Sequence, residues 1–297
     1  MMRGMYAAIS GLEASQTMLD VTANNLANSD TIGYKSQSTS FVDELSQTLS
    51  APTGPSAYNG GTNGQQVGLG VEVGSIGNEM GAGSLQTTGN ALDVAIQGAG
   101  FFQAATGSPA GAAVPGTPST LTGQATTYTL AGNLTLNSAG YLTTQSGQYV
   151  LGTKAPGAAT GTNVPGAINV PPGSTNVAVG QDGSVSYTDE NPANTTTYGT
   201  TVTAGYLSLA TFPNNAGLTR DGGSMWSASS ASGPASAASP NFNGVGQTIS
   251  GSLEMSNVDM ATEFTNMITA ERTYEANSKV ITTADSMLNA LVNMPQG

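Results

Sequence analysis

The feature that most constrains the fold is a helical repeat of apolar residues at each end of the chain. Over residues 2–28 the repeat advances by three and four positions in turn, the heptad spacing of a coiled-coil helix. A similar repeat with polar interruptions runs over residues 253–294, with Ser256 or Asn257 as its expected cap. The two predicted seams are Met2, Met5, Ile9, Leu12, Gln16, Leu19, Ala23 and Leu26, and then Met260, Phe264, Met267, Glu271, Tyr274, Ser278, Ile281, Asp285, Leu288 and Val292.

The middle of the chain has the short alternating runs and turn residues of β structure. A two-strand hairpin is indicated by Asp182-Gly183, which stand between two alternating runs. Three stretches rich in Ala, Gly, Pro and Ser are predicted to be loose insertions, and they are residues 104–127, 153–165 and 227–243.

The predicted fold class is α+β, with long terminal helices packed in coiled-coil fashion and a central all-β domain. The domains are expected to be a terminal helical domain from 1–30 and 253–297, an extended Pro- and Gly-rich linker over 31–75, and an outer β domain over 76–252. Each apolar seam residue contributes about 1.5–3 kcal/mol only when it is buried. The seams can be buried within one chain, as an antiparallel pair, or against other copies, and periodicity leaves both alternatives open.

The composition excludes several classes of function. Charged residues make up 8% of the chain, against about 25% in an ordinary soluble domain. The net charge is −12 with six basic residues, so neither a nucleic-acid groove nor a polybasic membrane patch is expected. Cys and His are absent, which excludes disulfides, zinc-finger sites and His-based triads, and no metal or cofactor is expected. No secretory signal or membrane-spanning run is expected either.

The remaining motifs favour structural roles over catalysis. Gly98-Ala99-Gly100 before two phenylalanines lacks the rest of a nucleotide-binding fingerprint and is predicted to be a turn before a buried aromatic pair. Glu271 and Glu275 are more typical of a solvated or subunit-bridging helix face than of an acid/base pair. A carboxylate-based glycan hydrolase would have to use the acids of the β region, which are Glu72, Glu79, Asp93, Asp182, Asp189, Glu190 and Asp221. The chain is not expected to be an enzyme, and a monomeric surface-binding module is a second alternative.

The end of the first helix, "VTANNLANSDTIGYK", carries three asparagines in a helix that should avoid them. Asn24, Asn25 and Asn28 are compatible with simple fraying and capping at a helix C-terminus. They are also compatible with a packed junction in which the amides bind backbone and neighbouring groups. Gly33 and Tyr34 then form the turn by which the chain leaves the helix.

Several segments resemble one family, the bacterial flagellar axial proteins, which are the rod, hook and hook-associated proteins. The N-terminal signature is "LDVTANNLANSDTIGYK", within the longer "MYAAISGLEASQTMLDVTANNLANSDTIGYKSQSTSFVDELSQT". "GGTNGQQVGLGVEVGSI" and "GNALDVAIQGAGFFQ" are similar to segments that enter the first β domain of hook and distal-rod proteins. The C-terminal helix of the family is resembled by "SGSLEMSNVDMATEFTNMITAERTYEANSKVITTADSMLNALVNM".

The resemblance implies a structural subunit that polymerises into a helical tube around the export channel. The segments "LEMSNVDM" and "GGTNGQQVGLG" favour a hook subunit, the flexible coupling between rod and filament, and the distal rod subunit is the alternative. Implied partners are further copies of the chain, other axial proteins (distal rod, hook–filament junction, hook cap) and the export apparatus, with no nucleic acid and no membrane insertion.

The implied location is the extracellular part of the flagellum, reached without a cleaved signal peptide. The expected assembly residues are Met5, Ile9, Leu12, Leu19, Asn24, Asn25, Leu26, Asn28, Phe264, Met267, Tyr274, Ile281, Leu288 and Val292, with Gly33 and Tyr34 as the turn.

Overall fold

The computed structural model describes residues 2–55, 60–109, 117–157, 165–190, 198–242 and 244–293. The chain divides into two units, and each is built from segments that are distant in sequence. Unit 1 comprises Met1–Asn28, Ser36–Glu79 and Val258–Gly297, and unit 2 comprises Ser29–Lys35 and Met80–Asn257.

Unit 1 contains the two predicted helices. Helix α1 spans Met2–Ala27 and helix α2 spans Met260–Val292. The cap of α2 is Asp259, rather than the predicted Ser256 or Asn257, because its carboxylate accepts from the backbone N–H groups of Ala261 and Thr262. Neither helix carries the stretch of apolar sequence that a membrane-crossing helix requires in the described part of the chain.

The two helices pack against each other as an antiparallel pair. Ser15 donates to the Thr273 hydroxyl at 3.3 Å, while Asn25, further along α1, donates to Glu263, which is earlier in α2. Of the two alternatives left open by periodicity, the structure has the intramolecular one. Together with the β structure between the helices, the pair confirms the predicted α+β class.

The predicted seam on α1 is wrong by one residue. The buried positions follow their own heptad spacing and carry small or polar side chains, in α1 Ala8, Gly11, Ala14, Ser15, Thr22 and Asn25, and in α2 Glu263, Ala270 and Ala284. Small residues occupy the interface between the two helices because they let the helix backbones approach closely. A Cβ at Gly11 would lie 2.6 Å from the Asn277 side-chain nitrogen, closer than two such atoms can sit.

Four strands complete unit 1, within the region predicted to be mostly linker. They are β1 (Gln37–Asp43), β2 (Ser46–Ser50), β3 (Gln65–Gly68) and β4 (Val71–Asn78). Strand β1 pairs antiparallel with β4, and β2 pairs antiparallel with β3. Hairpin pairing therefore organises much of 31–75, although residues 56–59 lie outside the described part.

Unit 2 is built from short strands and one short 3₁₀ turn, Asn215–Gly217. Its strands are β5 (Leu85–Thr87), β6 (Val94–Gln97), β7 (Phe101–Pro109), β8 (Leu121–Thr129), β9 (Thr135–Leu136), β10 (Leu142–Thr143), β11 (Tyr149–Thr153), β12 (Gly166–Ala167), β13 (Thr175–Val179), β14 (Ser184–Thr188), β15 (Thr201–Leu207), β16 (Leu209–Thr211), β17 (Thr219–Gly222), β18 (Met225–Ser227), β19 (Ser236–Ala238), β20 (Gln247–Ser250) and β21 (Ser252–Glu254).

One large antiparallel sheet dominates unit 2. Its main path runs β13-β14-β15-β11-β7-β8-β18-β17, and the pairs β5–β21 and β6–β20 lie outside it. The hairpin at Asp182-Gly183 is confirmed, because β13 pairs with β14 across it. Phe101 and Phe102 are both buried after the Gly98–Gly100 turn, as predicted, and they belong to the hydrophobic core of the sheet.

The predicted insertion over 104–127 is largely ordered, which corrects the expectation of a loose segment. Strands β7 and β8 continue through it as a long hairpin, with Ala104 paired to Thr127 and Pro109 to Leu121. Threonine favours β-strands, so the threonines of this segment support strand pairing although the Ala and Gly residues between them favour it less. The tip at 110–116 and the part of the second insertion at 158–164 lie outside the described residues.

Candidate functional site

Exposed large hydrophobic side chains are concentrated in unit 1. Of the twenty-one such side chains among the described residues, seventeen belong to unit 1, although unit 2 is the longer unit. The four in unit 2 are Leu85, Leu136, Tyr198 and Phe242. Scattered exposed apolar residues are normal, whereas concentration on one unit marks an interaction surface.

On α2 the exposed apolar residues form a stripe. Met260, Phe264 and Ile268 follow one another at four-residue spacing, so they lie above one another on one helix face. They are 52%, 50% and 57% exposed, although all three are large and apolar. Tyr274 and Val292 lie near the same face further along the helix, whereas Val280, Met287 and Leu291 are exposed on other faces of α2.

On α1 the exposed apolar residues are Met2, Tyr6 and Ile9. Tyr6 and Ile9 line a groove of about 430 Å³ in unit 1, whose lining residues are Arg3, Tyr6, Ile9, Ser10, Glu13, Glu44 and Leu69. The lining is mixed, since it combines the apolar Ile9 and Leu69 with the charged Arg3, Glu13 and Glu44.

The predicted assembly residues fall into two groups by exposure. One group is half-buried within unit 1 and comprises Met5, Leu12, Leu19, Leu26, Met267, Ile281 and Leu288. The other is exposed and comprises Ile9, Phe264, Tyr274 and Val292. The half-buried group flanks the small-residue seam, so its side chains already contribute to the helix pair. The exposed group is available to other molecules.

The three asparagines at the end of α1 occupy different environments. Asn25 is 1% exposed, and its side-chain amide donates to the Gln37 carbonyl at 2.8 Å and to Glu263 Oε1 at 2.9 Å. Its oxygen accepts from the Gln37 N–H at 2.9 Å, so the amide binds both backbone polar groups of Gln37. Asn28 instead bonds to the Asn24 carbonyl, one helical turn back.

Asn25 forms a packed junction of the kind that the sequence suggested for the three asparagines. It joins the end of α1 to the start of β1 and to the first turn of α2, all within unit 1. Asn24 is exposed and Asn28 is half-buried, and their mutual contact is the local capping described by the simpler interpretation.

Gly33 and Tyr34 belong to unit 2. Gly33 has φ +66°, the left-handed conformation that glycine tolerates best, and its N–H donates to the Glu254 carbonyl at 2.9 Å. A Cβ at this position would lie 2.7 Å from the Ala131 backbone nitrogen. Tyr34 is buried. The predicted turn is present, and its use as a hinge stays a prediction.

Strands β2 and β3 form a ribbon whose residues are exposed throughout. Leu45, Leu49 and Val67 are exposed on or beside it, at 83%, 57% and 40%. An isolated two-stranded ribbon is at best marginally stable in water. This ribbon is therefore a second exposed surface of unit 1, one that would gain stability if a neighbour covered it.

The described residues show no arrangement suited to catalysis. Arg272 and Glu275 form an exposed ion pair at 2.9 Å, the solvated helix face predicted for this region. Asp182 serves its hairpin turn, where the Ser184 hydroxyl and then its backbone N–H bind the carboxylate and lower its pKa. In the described part of the chain no cluster of three acidic side chains could hold a metal ion.

A cavity of about 360 Å³ in unit 2 is the natural place to look for the acid pair of a glycan hydrolase. Its described lining is neutral, and includes Thr31, Asn133 and Gln145 without any carboxylate. A retaining or inverting glycosidase needs two facing carboxyl groups, so this cavity does not support that alternative.

Two kinds of structural residue were missed by the sequence analysis. Trp226, from which no prediction was made, is 2% exposed and stacks on the Arg220 guanidinium. The seam of the helix pair was missed because it was assigned from the large apolar side chains rather than from the small ones. Its signal is present in the seven-residue spacing of Ala8, Ser15 and Thr22.

Three family descriptions match parts of the chain. The flagella basal body rod protein family matches residues 5–35, and the flagellar hook protein FlgE/F/G D1 domain matches residues 118–187. The C-terminal region of the flagellar basal body rod FlgEFG proteins matches residues 249–294.

The whole-length relatives are rod proteins. The chain is 39% identical to the flagellar basal-body rod protein FlgG of Bacillus subtilis over 295 residues, which are 99% of each protein. It is 37% identical to that of Agrobacterium fabrum over 96% of this chain and 97% of the relative. The flagellar hook protein FlgE of Treponema pallidum is 46% identical over 107 residues, but these are 36% of this chain and 23% of that protein.

Proposed function

Because this chain belongs to the family of flagellar basal-body rod and hook proteins, we propose that it is the distal rod subunit, a structural protein that self-assembles into a rigid tube. The similarity to rod proteins covers nearly the whole chain, whereas the similarity to hook proteins covers about a third of it. Rod identity is therefore preferred to the hook identity favoured by two short motifs. The family is structural, in agreement with the expectation that the chain is not an enzyme.

Self-assembly rests on the concentration of exposed apolar side chains in unit 1. Moving one such side chain from water into an interface contributes about 1.5–3 kcal/mol when the burial is complete. The helix pair is closed by the small-residue seam and by the half-buried side chains beside it, so the exposed Phe264, Ile268 and Tyr274 remain for contacts with further copies. A surface that fits a different surface on the next copy makes an open helical polymer when the rotation between copies does not close into a ring.

The ribbon of β2 and β3 supports the same proposal. Its residues bury little within unit 1, and a ribbon that is exposed on both sides needs neighbours to be stable. We infer that the stripe on α2 and the ribbon are the two principal contact surfaces, and that the neighbours are copies of the chain or other axial proteins. Export by the flagellum's own apparatus, without a cleaved signal, is part of the proposal.

Electron cryomicroscopy of the purified, polymerised protein tests this function. A straight, rigid tube supports the distal rod, and a curved tube whose subunits differ around the circumference supports the hook. A protein that stays monomeric under conditions that polymerise a relative would contradict both. Phe264→Asp provides the matched negative sample, because the residue is half exposed and its charge would be buried only on assembly.

A further inference from the structure

Residues 29–35, the part of unit 2 that continues directly from α1, are held by a buried ion pair. The Lys35 ammonium contacts Glu254 Oε1 at 2.6 Å, and the two residues are 2% and 5% exposed. Lys35 also donates to the Gly81 carbonyl at 2.9 Å. Glu254 Oε1 accepts a second bond from the Gly83 N–H, also at 2.9 Å.

Further contacts bind the same segment along its length. The Ser224 hydroxyl donates to the Ile32 carbonyl at 3.4 Å. The Arg220 guanidinium donates to the Lys35 carbonyl and lies over the rings of Tyr34 and Trp226, at 4.7 and 4.8 Å from their centres. Cation–π contacts of this kind gain strength when they are withdrawn from water.

The hydrophobic core of unit 2 does not include this segment. Tyr34 is buried, yet neither it nor any other residue of 29–35 is part of the apolar cluster formed by the sheet. The segment is thus attached mainly by polar and cation–π contacts. Its detachment would leave the core of the sheet filled.

We propose that residues 29–35 form a strap that docks on the rest of unit 2 and releases from it as a separate cooperative segment, with Lys35–Glu254 as the latch that fixes its register. A buried ion pair adds little net stability compared with apolar residues of the same volume, but removal of one partner is costly. In the released state both charges regain water. In a shifted register one of them would be buried without its partner, so the closed state has a single register.

A small cavity lies beside the latch. A cavity of about 80 Å³ adjoins Lys35 and Glu254 and is also lined by Asn215. This volume is enough for a few water molecules, since one water needs about 10–15 Å³ by the same measure. The charges can therefore begin to hydrate before the strap has left its place.

Only the consequence of the strap for assembly rests on the proposed function. Because the strap continues from the helix that carries part of the assembly surface, closure of the latch would give every subunit of the tube the same connection to α1. The strap itself is a property of the monomer and can be tested without any polymer.

Hydrogen–deuterium exchange of the full-length monomer, resolved by segment, tests the strap. In the unmodified protein we expect amides of 32–35 to exchange faster than those of β7 and β15. In Lys35→Met, whose Glu254 loses its partner, strap amides should exchange about tenfold faster again, while β7 and β15 do not change. Lys154→Met, at an exposed lysine, is the matched control and should change neither region.

A second pair of variants separates the latch from general damage. Lys35→Met/Glu254→Met replaces the ion pair by apolar side chains and should restore most of the strap's protection. Arg220→Lys keeps the charge but loses the planar stacking, and should loosen the strap alone. The proposal is overturned if the strap and the sheet always exchange together, if Lys35→Met leaves the strap unchanged, or if the double variant is as loose as the single one. None of these outcomes depends on whether the chain is a rod subunit or a hook subunit.

Discussion

Asn25 and Glu263 meet inside the helix pair, where the Asn25 amide donates to the Glu263 carboxylate at 2.9 Å. The other carboxylate oxygen of Glu263 is buried without a hydrogen-bond partner. A single side-chain amide thus binds the buried Glu263 carboxylate and, at the same time, both the backbone N–H and the backbone carbonyl of Gln37. The junction therefore depends on one side chain whose loss could not be compensated locally.

Substitution of Asn25 by Ala is expected to lower the free energy of unfolding of unit 1 by about 2–4 kcal/mol, because buried polar groups lose their partners. Asn24→Ala, at an exposed position one residue away, should change it by less than about 0.5 kcal/mol. Chemical denaturation of the two variants, monitored by helical circular dichroism, measures the difference. Equal losses would assign the stretch to simple helix capping.

The small-residue seam makes a prediction about size. Ala270 is completely buried between the helices, so Ala270→Leu should force them apart and cost about 1–3 kcal/mol. The matched control is Ala276→Leu, which places the same side chain on an exposed part of α2 and should leave the melting temperature almost unchanged. Thermal melts of the two variants decide whether the seam is as tightly packed as the structure shows.

The exposed stripe on α2 predicts a separation of assembly from stability. Ile268→Asp should abolish sedimentable polymer while the monomer melts within about 2 °C of the unmodified protein, because the residue lies in water before assembly. Phe242→Asp places the same charge on an exposed apolar residue of unit 2 and should leave assembly intact. Polymer from Ile268→Asp, seen in electron micrographs, would remove the stripe from the proposed interface. Leu19→Asp and Ile281→Asp are weaker tests, since both side chains are half-buried in the monomer.

Much of this fold could be predicted from local sequence patterns. The presence of helices α1 and α2, the hairpin at Asp182-Gly183 and the buried pair Phe101-Phe102 all follow from periodicity or turn chemistry, which act over a few residues. The start of α2 was predicted too early, at 253, because residues 252–254 form strand β21 and the helix begins at Met260. The seam of the helix pair could not be assigned in the same way. Apolar periodicity marks the helix face that carries the large apolar side chains, whereas the face buried within one chain is determined by how closely two helix backbones can approach.

The candidate site was predicted only in part for the same reason. Phe264 and Tyr274 are exposed as an assembly surface requires, but Leu12 and Leu19 already contribute to the monomer. The Lys35–Glu254 pair joins residues separated by more than two hundred positions. A contact over that sequence distance leaves no local spacing pattern, and it is revealed only by the burial of both charged side chains in the structure.

The cap of α2 predicts an acid dependence. The Thr262 hydroxyl, followed by the backbone N–H groups of Ala261 and Thr262, lowers the pKa of Asp259 below its ordinary value of 3.8. A carboxyl group whose folded pKa is lowered contributes stability above its unfolded pKa and loses it as the pH falls through the folded pKa. The contribution of Asp259 is therefore complete above 3.8 and lost in stronger acid.

Asp259→Asn keeps an acceptor for the cap but cannot titrate, so the stability difference between it and the unmodified protein should shrink as the pH falls below 3.8. Thr262→Val removes the largest cause of the lowered pKa and should move this transition to higher pH. Acid titrations followed by circular dichroism compare the three proteins. A difference that is constant with pH would show that the cap acts through hydrogen bonding alone.

Gly33 and Gly89 provide a matched pair for the strap. Both have positive φ, +66° and +75°, so alanine is strained in the backbone at either position. At Gly33 the new Cβ would also meet the backbone at 2.7 Å from Ala131 N, while at Gly89 it would meet nothing within 4 Å. Gly89→Ala should therefore cost about 1 kcal/mol, from backbone strain alone. Gly33→Ala should cost about 1–3 kcal/mol more than that, because backbone atoms cannot move aside as a flexible side chain can.

Denaturation of unit 2 followed by Trp226 fluorescence measures the free energy of unfolding of both variants, since this single tryptophan is buried in the core of unit 2. Equal costs for the two alanines would mean that residues 29–35 are not seated against the 130–131 backbone in solution.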